Sequence, residues 1–320
     1  MPSTLDAALP IAGGAAVLVV GLIAFCMIPM IKGKRRARST GVLFPALPAG
    51  AAPHAFKPLK LAAKTIISPD TVRLRFELPT AEDTLGLCVG QHIYARIGQT
   101  QRPYTPVSPV DQRGYFDLVV KIYRPAAPAF PDGGRFSFQL LDKVEVGQTV
   151  EFKPASCKLE YTGGQQFNIK EASGVVPRSA RRVFMIAGGT GITPMWQIMQ
   201  AAHLHATRSG DAVPEIVLLY SNRTEADILL REDLAAMTVA RGNKCTICHT
   251  LTRPVAGSVA PTMLTGRINV ETLRRAGIVP SANSAADDLV LICGPPSMVA
   301  DTCKPALAAL GFPDSCVKVL

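Results

Sequence analysis

The chain has 320 residues, of which 18% are charged and 48% are hydrophobic, and its formal net charge is +10 at pH 7. This length suffices for an N-terminal segment followed by two compact domains, and the composition excludes a long disordered protein. The positive charge does not indicate nucleic-acid binding, because the sequence has no recognition motif and no basic stripe interleaved with aromatic residues.

The first predicted element is a membrane anchor within residues 1–40. No side chain from Ala7 to Ile31 is charged, and about 20 such residues suffice to cross a bilayer as a helix. Five basic residues follow: Lys32, Lys34, Arg35, Arg36 and Arg38. Because basic flanks stay on the cytoplasmic side, we expect everything after Lys32 to face the cytosol, from the mitochondrial outer membrane or the endoplasmic reticulum. A cleaved signal peptide is the alternative, but its basic residues would precede a shorter apolar core.

Residues 41–55 are rich in Pro, Ala and Gly without periodicity, which predicts a linker. The eight cysteines are scattered along the chain, and a cytosolic domain would keep them as thiols. Basic residues continue past the linker at Lys57, Lys60, Lys64, Arg73 and Arg75. Such a surface would steer an acidic protein partner towards the chain, and an ordinary solvated face is the alternative.

Residues 56–156 show the alternation that is typical of antiparallel strands. In "TVRLRFEL", Val72, Leu74 and Phe76 alternate with Arg73 and Arg75, which indicates one buried and one solvated face. The stretches "HIYARI", "YFDLVVKIY" and "QTVEFK" predict further strands between turn residues. We therefore expect an all-β sandwich or barrel, followed by an inter-domain linker over residues 157–180.

Residues 181–320 repeat a pattern of strand, turn and helix. Predicted strands are "RRVFMIA", "EIVLLY", "TICHTL" and "DLVLIC", and helical stretches such as "PMWQIMQAAHLHA" and "NVETLRRA" separate them. This alternation predicts an α/β domain with a parallel sheet covered on both faces. A ligand would then bind at the carboxyl ends of the strands.

This arrangement makes three motifs interpretable, two in the α/β domain and one that ends a strand of the β domain. In "GGTGITPM" (188–195), the glycines let backbone N–H groups approach a diphosphate, Thr193 would cap the following helix and Pro194 fits its first turn. In "RPYTPVS" (102–108), an arginine suits phosphate and a tyrosine ring suits a flat heterocycle. In "CGPPSM" (293–298), a thiol would face the same crevice as the glycine turn. Each motif alone also fits a structural role: a tight turn, a Pro-rich loop or a buried thiol.

Taken in order with "GGRFS" (133–137), these motifs resemble the NADH-cytochrome b5 reductase branch of the ferredoxin-NADP reductase superfamily. The resemblance runs from about Phe56 to the C-terminus. It implies a ferredoxin reductase-like fold, with an antiparallel β-barrel FAD domain at 56–156 and a nicotinamide-nucleotide-binding domain at 181–320. It also implies hydride transfer from NADH to FAD, then single-electron transfer to cytochrome b5 or a similar acidic haem carrier. A quinone or an iron complex as acceptor is the alternative.

The resemblance also implies roles for individual residues. Those that it assigns to FAD are Arg102, Pro103, Tyr104, Thr105, Val120, Lys121, Tyr123, Gly134, Arg135, Phe136 and Ser137. Those that it assigns to the nicotinamide nucleotide are Lys121, Gly189, Thr190, Gly191, Thr193, Arg223, Thr252, Gly294 and Pro295. Four of the implied residues would serve the reaction itself: Thr105 and His92 as a polar pair near flavin N5, Lys121, and Cys293 near the nicotinamide. No metal site is implied.

Thr252 departs from the family pattern. Relatives that prefer NADH carry an acidic residue at this position, where it binds the ribose hydroxyls and repels a 2′-phosphate. Thr252 cannot repel, and Arg223 is expected nearby. We therefore hypothesise that NADPH is also accepted, and a neutral substitution with NADH still favoured is the alternative.

Two other classes of protein fit parts of the sequence. The stretch Cys245-Thr-Ile-Cys248-His249 has the spacing of a c-type haem attachment site. It falls on a predicted strand, where Cys245 and Cys248 would point to opposite faces, so we reject haem attachment. An adaptor that only binds a nucleotide is the other alternative.

Overall fold

A computed structural model describes residues 41–47, 51–126, 130–255, 263–282 and 284–320. The predicted anchor at Ala7 to Ile31 lies outside these ranges. Within them, no helix is both long enough and apolar enough to cross a membrane. Residues 39–320 form one compact unit, and we call its antiparallel part, residues 57–154, the β half and its parallel part, residues 182–319, the α/β half.

The β half is a six-stranded antiparallel sheet with the order β4-β3-β6-β1-β2-β5. Its strands are β1 (Lys57–Ser68), β2 (Thr71–Glu77), β3 (Ile93–Ile97), β4 (Thr100–Tyr104), β5 (Tyr115–Lys121) and β6 (Thr149–Pro154). Val72, Leu74 and Phe76 are buried, which confirms the alternation predicted for β2. The rings of Phe76 on β2 and Phe152 on β6 lie 4.7 Å apart although β1 separates the two strands. The sheet is therefore folded over a single core.

Leu43 and Phe44 pack onto the β half, in the stretch for which the sequence predicted only a linker. Phe44 is 1% exposed, and the backbone N–H groups of Leu43 and Phe44 donate to the carbonyls of Thr84 and Leu85 at 2.9 and 3.2 Å. Gly86 adopts φ +83°, and a Cβ there would lie 2.5 Å from the Phe44 carbonyl oxygen. Two large apolar side chains thus remove this end of the linker from solvent.

Residues 157–180, interpreted from the sequence as an inter-domain linker, contain a three-stranded antiparallel sheet. Its strands are β7 (Leu159–Gly163), β8 (Gln166–Glu171) and β9 (Gly174–Ser179). Leu159 and Tyr161 on β7 and Phe167 and Ile169 on β8 are buried, and they belong to a core of the α/β half. Apolar alternation on both sides of the Gly163–Gly164 turn explains why this segment folds as a hairpin.

The α/β half is a six-stranded parallel sheet with the order β13-β12-β11-β10-β14-β15. Its strands are β10 (Arg182–Gly188), β11 (Glu215–Asn222), β12 (Cys245–Leu251), β13 (Leu264–Thr265), β14 (Asp288–Cys293) and β15 (Val317–Val319). Its helices are α1 (Ile192–Ser209), α2 (Arg231–Arg241), α3 (Val270–Arg275), α4 (Ser284–Asp287) and α5 (Lys304–Leu310). The parallel sheet and the strands predicted from the sequence are confirmed.

Both faces of the parallel sheet are buried. On β10, Val183 and Met185 enter one core, which α1 and α2 cover. Phe184 and Ile186 enter another core on the opposite face, with residues of α3 and α5. Burial on both sides explains the almost continuous apolar runs of these strands, and it leaves their carboxyl ends as the open edge of the sheet.

The docking of Phe44 predicts a measurable contribution to stability. Replacing a buried phenylalanine by alanine removes apolar contacts and leaves a cavity, and we expect Phe44→Ala to lower the free energy of unfolding by about 3–5 kcal/mol. Leu47→Ala is the matched control, because Leu47 is 44% exposed, and its effect should stay within about 0.5 kcal/mol. Urea denaturation measures both. Equal, small effects would show that the segment is a free tether.

Candidate active site

The strand register of the β half places His92 and Thr105 side by side. Ile93 at the start of β3 pairs with Tyr104 at the end of β4, so the residues one step beyond are neighbours at the same end of the strand pair. Thr105 is 8% exposed. Burial lowers the pKa of His92, and the Lys158 ammonium lowers it further, so the imidazole is neutral at pH 7. The predicted pair therefore consists of one hydroxyl and one uncharged imidazole.

The motifs "RPY", "KIY" and "GGRFS" meet beside this pair. The rings of Tyr104 and Phe136 lie 6.0 Å apart, and the Gly134 N–H donates to the Tyr123 carbonyl at 2.6 Å. Ser137 is buried, and its Oγ accepts from the Tyr123 N–H at 3.3 Å. A side chain at Gly134 would collide with this hydroxyl, since a Cβ would lie 2.6 Å from it.

Two side chains assigned to FAD point into the protein core instead. Phe136 is 2% and Val120 is 1% exposed, and both belong to the core of the β half. The alternation of β5 explains this for Val120, because its neighbour Val119 packs into a core of the α/β half. The predicted contacts of these two residues with the cofactor are thus limited to their backbone atoms.

Two guanidinium groups of these motifs stay available. Arg102 and Arg135 are exposed, and neither forms an ion pair with a residue that the structure describes. Among the residues that the structure describes, Arg102 donates to the Gln101 carbonyl, at 2.8 Å. Exposed guanidinium groups beside aromatic rings fit a ligand that combines a diphosphate with a flat ring system.

Lys121 connects the two halves of the protein. Its ammonium lies 2.6 Å from Asp227, which precedes α2 in the α/β half, and 2.9 Å from Asp70. Burial opposes the charge on Lys121, but the hydrogen bonds to Asp227 and Asp70 outweigh it and raise its pKa. A phosphate that is to bind Lys121 must therefore compete with two carboxylates.

The glycine turn and the "CGPPSM" motif are in contact, as the sequence predicted. Ala187 on β10 pairs with Cys293 on β14, and a Cβ added to Gly191 would lie 2.1 Å from the Cys293 carbonyl oxygen. Only glycine fits there. Burial raises the pKa of the Cys293 thiol to about 11, so this thiol is uncharged at pH 7.

Thr193 does not cap α1. The helix begins at Ile192 and its N-cap residue is Gly191, without a capping side chain. The Thr193 hydroxyl instead donates to the Thr190 carbonyl at 3.1 Å. Pro194 lies in the first turn as predicted, and the unpaired N–H groups of that turn favour an anion.

Helix α1 joins the two groups of motifs. Trp196 Nε1 donates to the Val107 carbonyl at 3.0 Å, and Gln197 Oε1 accepts from the Gly90 N–H at 2.6 Å. Lys158, which the sequence analysis missed, acts electrostatically on both His92 and Cys293. The start of β3 in the β half and the end of β14 in the α/β half thus face one crevice.

Thr252 and Arg223 are neighbours at the carboxyl edge of the parallel sheet. Thr252 follows β12, and its N–H donates to the Asn222 carbonyl at 2.9 Å. The Arg253 N–H donates to the Arg223 carbonyl at 2.7 Å. Neither Arg223 nor Arg253 forms an ion pair with a described residue, so this edge carries two uncompensated cations.

The basic residues predicted to attract an acidic partner are mostly paired within the chain. The pairs are Lys60–Glu77 at 2.9 Å, Lys64–Asp142 at 3.2 Å, Arg73–Asp233 at 3.8 Å and Arg75–Asp117 at 2.8 Å. Lys57 donates to the Leu43 carbonyl at 2.6 Å. Because carboxylates neutralise these cations, this surface has little charge left to attract a partner.

Another lysine cluster lines a cavity of about 570 Å³ beside β15. Lys158, Lys170, Lys304 and Lys318 contribute to its wall, with apolar residues such as Phe312. Lys318 pairs with Glu171 at 2.9 Å, whereas Lys158 and Lys304 form no ion pair within the described ranges. No motif in the sequence indicates this cluster, because its members come from four separate segments.

The C-x-x-C-H stretch forms β12. Cys245 is buried in the core under α1 and α2, whereas Cys248 packs against the core on the opposite face. The two thiols point to opposite sides of the sheet, as expected, and cannot hold one haem. No cluster of three metal-ligating side chains occurs among the residues described.

Comparison with known proteins identifies both halves. Residues 58–161 match the oxidoreductase FAD-binding domain, and residues 185–304 match the oxidoreductase NAD-binding domain. NADH-cytochrome b5 reductase 1 of Homo sapiens is 42% identical over 261 residues, which cover 79% of this chain and 82% of that protein. The chain belongs to the NADH-cytochrome b5 reductase family. Its relative from Xenopus laevis, NADH-cytochrome b5 reductase 2, is 38% identical over 270 residues, 82% of this chain and 87% of that one.

A solved structure supports this family assignment. The cytochrome b5 reductase domain of Ulva prolifera nitrate reductase is 35% identical, has a TM-score of 0.75 and is matched over 84% of this chain and 98% of that domain. The fold is ferredoxin reductase-like. The chain is an NAD(P)H-dependent FAD oxidoreductase, with FAD and NADH as its cofactors. When bound, these cofactors supply the hydride chemistry, and the protein supplies binding and orientation.

The lowered pKa of His92 predicts a pH dependence of stability. The unfolded chain protonates this imidazole near its ordinary pKa of about 6.5, whereas the folded chain does so only at lower pH, so stability is lost as pH falls below about 6.5. When the pH is lowered from about 7.5 to about 5.5, we expect the Tm of His92→Gln to fall less than the Tm of the wild type. Differential scanning calorimetry measures both. An identical loss in the two proteins would contradict the burial of a neutral imidazole.

Proposed function

We propose that this family member is a membrane-anchored reductase that passes single electrons from its flavin to cytochrome b5 or a similar acidic haem carrier. The observation that carries the proposal is the crevice between the two halves, where His92 and Thr105 lie on the β side and the Gly191–Cys293 contact lies on the α/β side. Relatives that are named NADH-cytochrome b5 reductase support the nature of the acceptor.

The site residues take complementary parts in this proposal. Arg102 and Arg135 bind the FAD diphosphate, and Tyr104 and Tyr123 offer ring surfaces to the cofactor. Gly191 and the first turn of α1 receive the diphosphate of the nicotinamide nucleotide. His92 and Thr105 hold polar hydrogens near flavin N5, and because His92 is neutral it can accept or donate a proton there.

The uncharged Cys293 thiol has a positioning part. Its raised pKa keeps it neutral, so it adds no negative charge beside the nicotinamide, whose ring becomes cationic on losing hydride. Its backbone is held against Gly191 and would form part of the wall that the ring contacts. Gly294 and Pro295 continue this wall.

The anchor is proposed from the sequence. The uncharged stretch from Ala7 to Ile31 and the basic flank after it support a spanning helix with the catalytic unit on the cytosolic side. An anchored reductase meets an anchored carrier at a raised effective concentration. The outer mitochondrial membrane or the endoplasmic reticulum would hold it.

For the carrier we propose the cavity surface around Lys158 and Lys304 as the docking face. These ammonium groups have no carboxylate partner within the described ranges, and Lys158 lies close enough to the crevice to act on His92 and Cys293. The cations at Lys60 and Lys64 are already paired. Unpaired cations near the crevice steer an acidic partner to the point of electron transfer.

The acceptor test compares two matched double variants on vesicles that carry a membrane-bound cytochrome b5. We expect Lys158→Glu with Lys304→Glu to lower kcat/KM for the carrier by about tenfold and to flatten its salt dependence. Lys60→Glu with Lys64→Glu should have a smaller effect, because those lysines are already neutralised. Stopped-flow absorbance of the haem measures the rate.

Two controls accompany this experiment. Reduction of ferricyanide, a small iron complex, should change much less than reduction of the carrier in all variants, because it needs no protein docking. The full chain should reduce the membrane-bound carrier faster than a chain that begins at Ser39. Equal rates would argue against the anchor, and failure to reduce the carrier at all, with ferricyanide activity intact, would favour a small acceptor.

We also propose that NADPH is accepted. The two unpaired cations beside Thr252 support this, because a 2′-phosphate at that edge would meet Arg223 and Arg253 and no carboxylate within the described pairs. A hydroxyl at Thr252 neither repels the phosphate nor binds both ribose hydroxyls as a carboxylate does.

Exchanging Thr252 for aspartate tests this preference. We expect Thr252→Asp to shift the ratio of kcat/KM for NADPH to that for NADH against NADPH by about tenfold or more, corresponding to about 1.4 kcal/mol. Arg223→Ala should lower kcat/KM for NADPH and leave that for NADH nearly unchanged. Thr252→Asn is the control, because asparagine is similar in size to aspartate but carries no charge. A wild-type enzyme with a strong NADH preference would refute the proposal.

A further inference from the structure

The cavity beside β15 has the size and the walls of a small-molecule site. Its volume is about 570 Å³, and small-molecule sites occupy about 300–1,000 Å³. One wall is the hairpin of β7 and β8, and the facing wall consists of α5 and β15. The sheet fixes β15, because Val317 and Val319 pair with Val290 and Ile292 on β14. Both walls therefore belong to regular secondary structure, as in sites that are formed before a ligand binds.

Two lysines of this cavity lie directly opposite each other across the hairpin. Leu159 pairs with Ile169, and in the next position the Lys170 N–H donates to the Lys158 carbonyl at 2.8 Å. Like charges at opposite positions of an antiparallel pair destabilise it. The Lys170 ammonium donates to Ser156 Oγ at 3.1 Å, and neither lysine forms an ion pair with a residue that the structure describes. An anion between the two ammonium groups would relieve their repulsion.

The facing wall contributes two more lysines. Lys304 begins α5 and forms no ion pair within the described ranges, whereas Lys318 on β15 pairs with Glu171 at 2.9 Å. The acidic groups of the described lining are Asp314 and the terminal carboxylate of Leu320. Lysines outnumber acidic groups in this lining, so the cavity favours an anion.

The lining also offers apolar surface next to these charges. Val319 is 39% exposed, and its neighbours Val317 and Leu320 are half-buried. A ligand that combines an anionic group with an apolar part would contact both kinds of surface. None of the lining residues belongs to the glycine turn or to the motifs assigned to FAD.

We propose that this cavity binds a small phosphate monoester, with its phosphate group on Lys158, Lys170 and Lys304 and its organic part against β15. Lysine binds phosphate as a point charge, so ammonium groups from separate segments can surround one tetrahedral group. A phosphate monoester carries about −1.5 to −2 charge at pH 7 and has three acceptor oxygens. A sulfate ester of the same shape carries a single charge and therefore balances fewer lysines.

The site would regulate the transfer of electrons to the carrier. This consequence rests on the docking face proposed above, which includes Lys158 and Lys304. A bound monoester neutralises these cations, so it would compete with an acidic carrier and would leave the reduction of the flavin by NADH unchanged.

The binding test uses the full chain with bound FAD, and phenyl phosphate is the probe. Saturating NAD⁺ keeps the probe out of the nucleotide site, and the ionic strength is held constant. Isothermal titration calorimetry should show one phenyl phosphate per chain with a Kd of about 1 mM or tighter. Phenyl sulfate, the singly charged analogue, should bind about tenfold more weakly or not at all.

Two double variants locate the site. Lys170→Gln with Lys304→Gln removes two ammonium groups of the cavity and should raise the Kd of phenyl phosphate about tenfold or more. Lys60→Gln with Lys64→Gln makes the same change in net charge away from the cavity and should change the Kd by less than about twofold. The proposal fails if the wild type does not bind about 10 mM phenyl phosphate, if phenyl sulfate binds equally well, or if both double variants lose the same affinity.

Kinetics separate this site from the docking face. With phenyl phosphate at about five times its Kd, the KM for membrane-bound cytochrome b5 should rise about sixfold at unchanged kcat, and reduction of an uncharged quinone should not change. Binding without any rise in this KM would support the cavity site and refute the docking face. No binding, with the carrier still slowed by Lys158→Glu and Lys304→Glu, would refute the cavity site and support the docking face.

Discussion

The contact between α1 and the β half is the constraint on which the active site depends. Trp196 and Gln197 reach from the first turns of this helix to the backbone of Val107 and Gly90. Val107 follows Thr105, and Gly90 precedes His92, so the helix is bonded to the two chain segments that carry the polar pair. The same helix begins at the glycine turn. One rigid element therefore sets the position of the nucleotide site relative to the flavin site, and a small rotation of α1 would misalign both.

Close backbone packing sets the shape of the nucleotide side. A glycine at position 191 is required because the Cys293 carbonyl occupies the space of a side chain. Gly188 is also closely packed, since a Cβ would lie 2.5 Å from the sulfur of the Met298 side chain. These glycines thus serve packing between β10 and β14 as well as access for a phosphate. The two motifs "GGTGITPM" and "CGPPSM" are mutually dependent parts of one wall.

Some surface cations of the protein are paired with carboxylates, and others are not. Many cations of the β half are paired with carboxylates, and Lys121 and Arg73 even reach carboxylates of the α/β half. Exposed pairs of this kind contribute little stability individually, but they neutralise the surface. Six of the described cations that form no ion pair are Arg102, Arg135, Arg223, Arg253, Lys158 and Lys304. They lie at the strand ends and the cavity where phosphates or an acidic protein would bind.

The sequence by itself determined the order of the two halves, most strands of the α/β half and the motifs that meet at the crevice. Local periodicity is sufficient for this, because the strands of a doubly covered sheet are continuously apolar and a strand such as β2 alternates regularly. It also predicted the opposed faces of Cys245 and Cys248, since that follows from the pleat alone. Its resemblance to a family then supplied the cofactors.

Only the tertiary structure decided which side chains are free to act. Phe136 and Val120 lie in cofactor motifs, yet their side chains fill the core. The strands against which they pack lie far away in the chain. Phe44 and the hairpin of β7 and β8 were missed for the same reason: their apolar partners lie in distant segments. The pairing of Lys60 with Glu77 and of Lys64 with Asp142 likewise depends on neighbours in space, which a linear pattern does not contain.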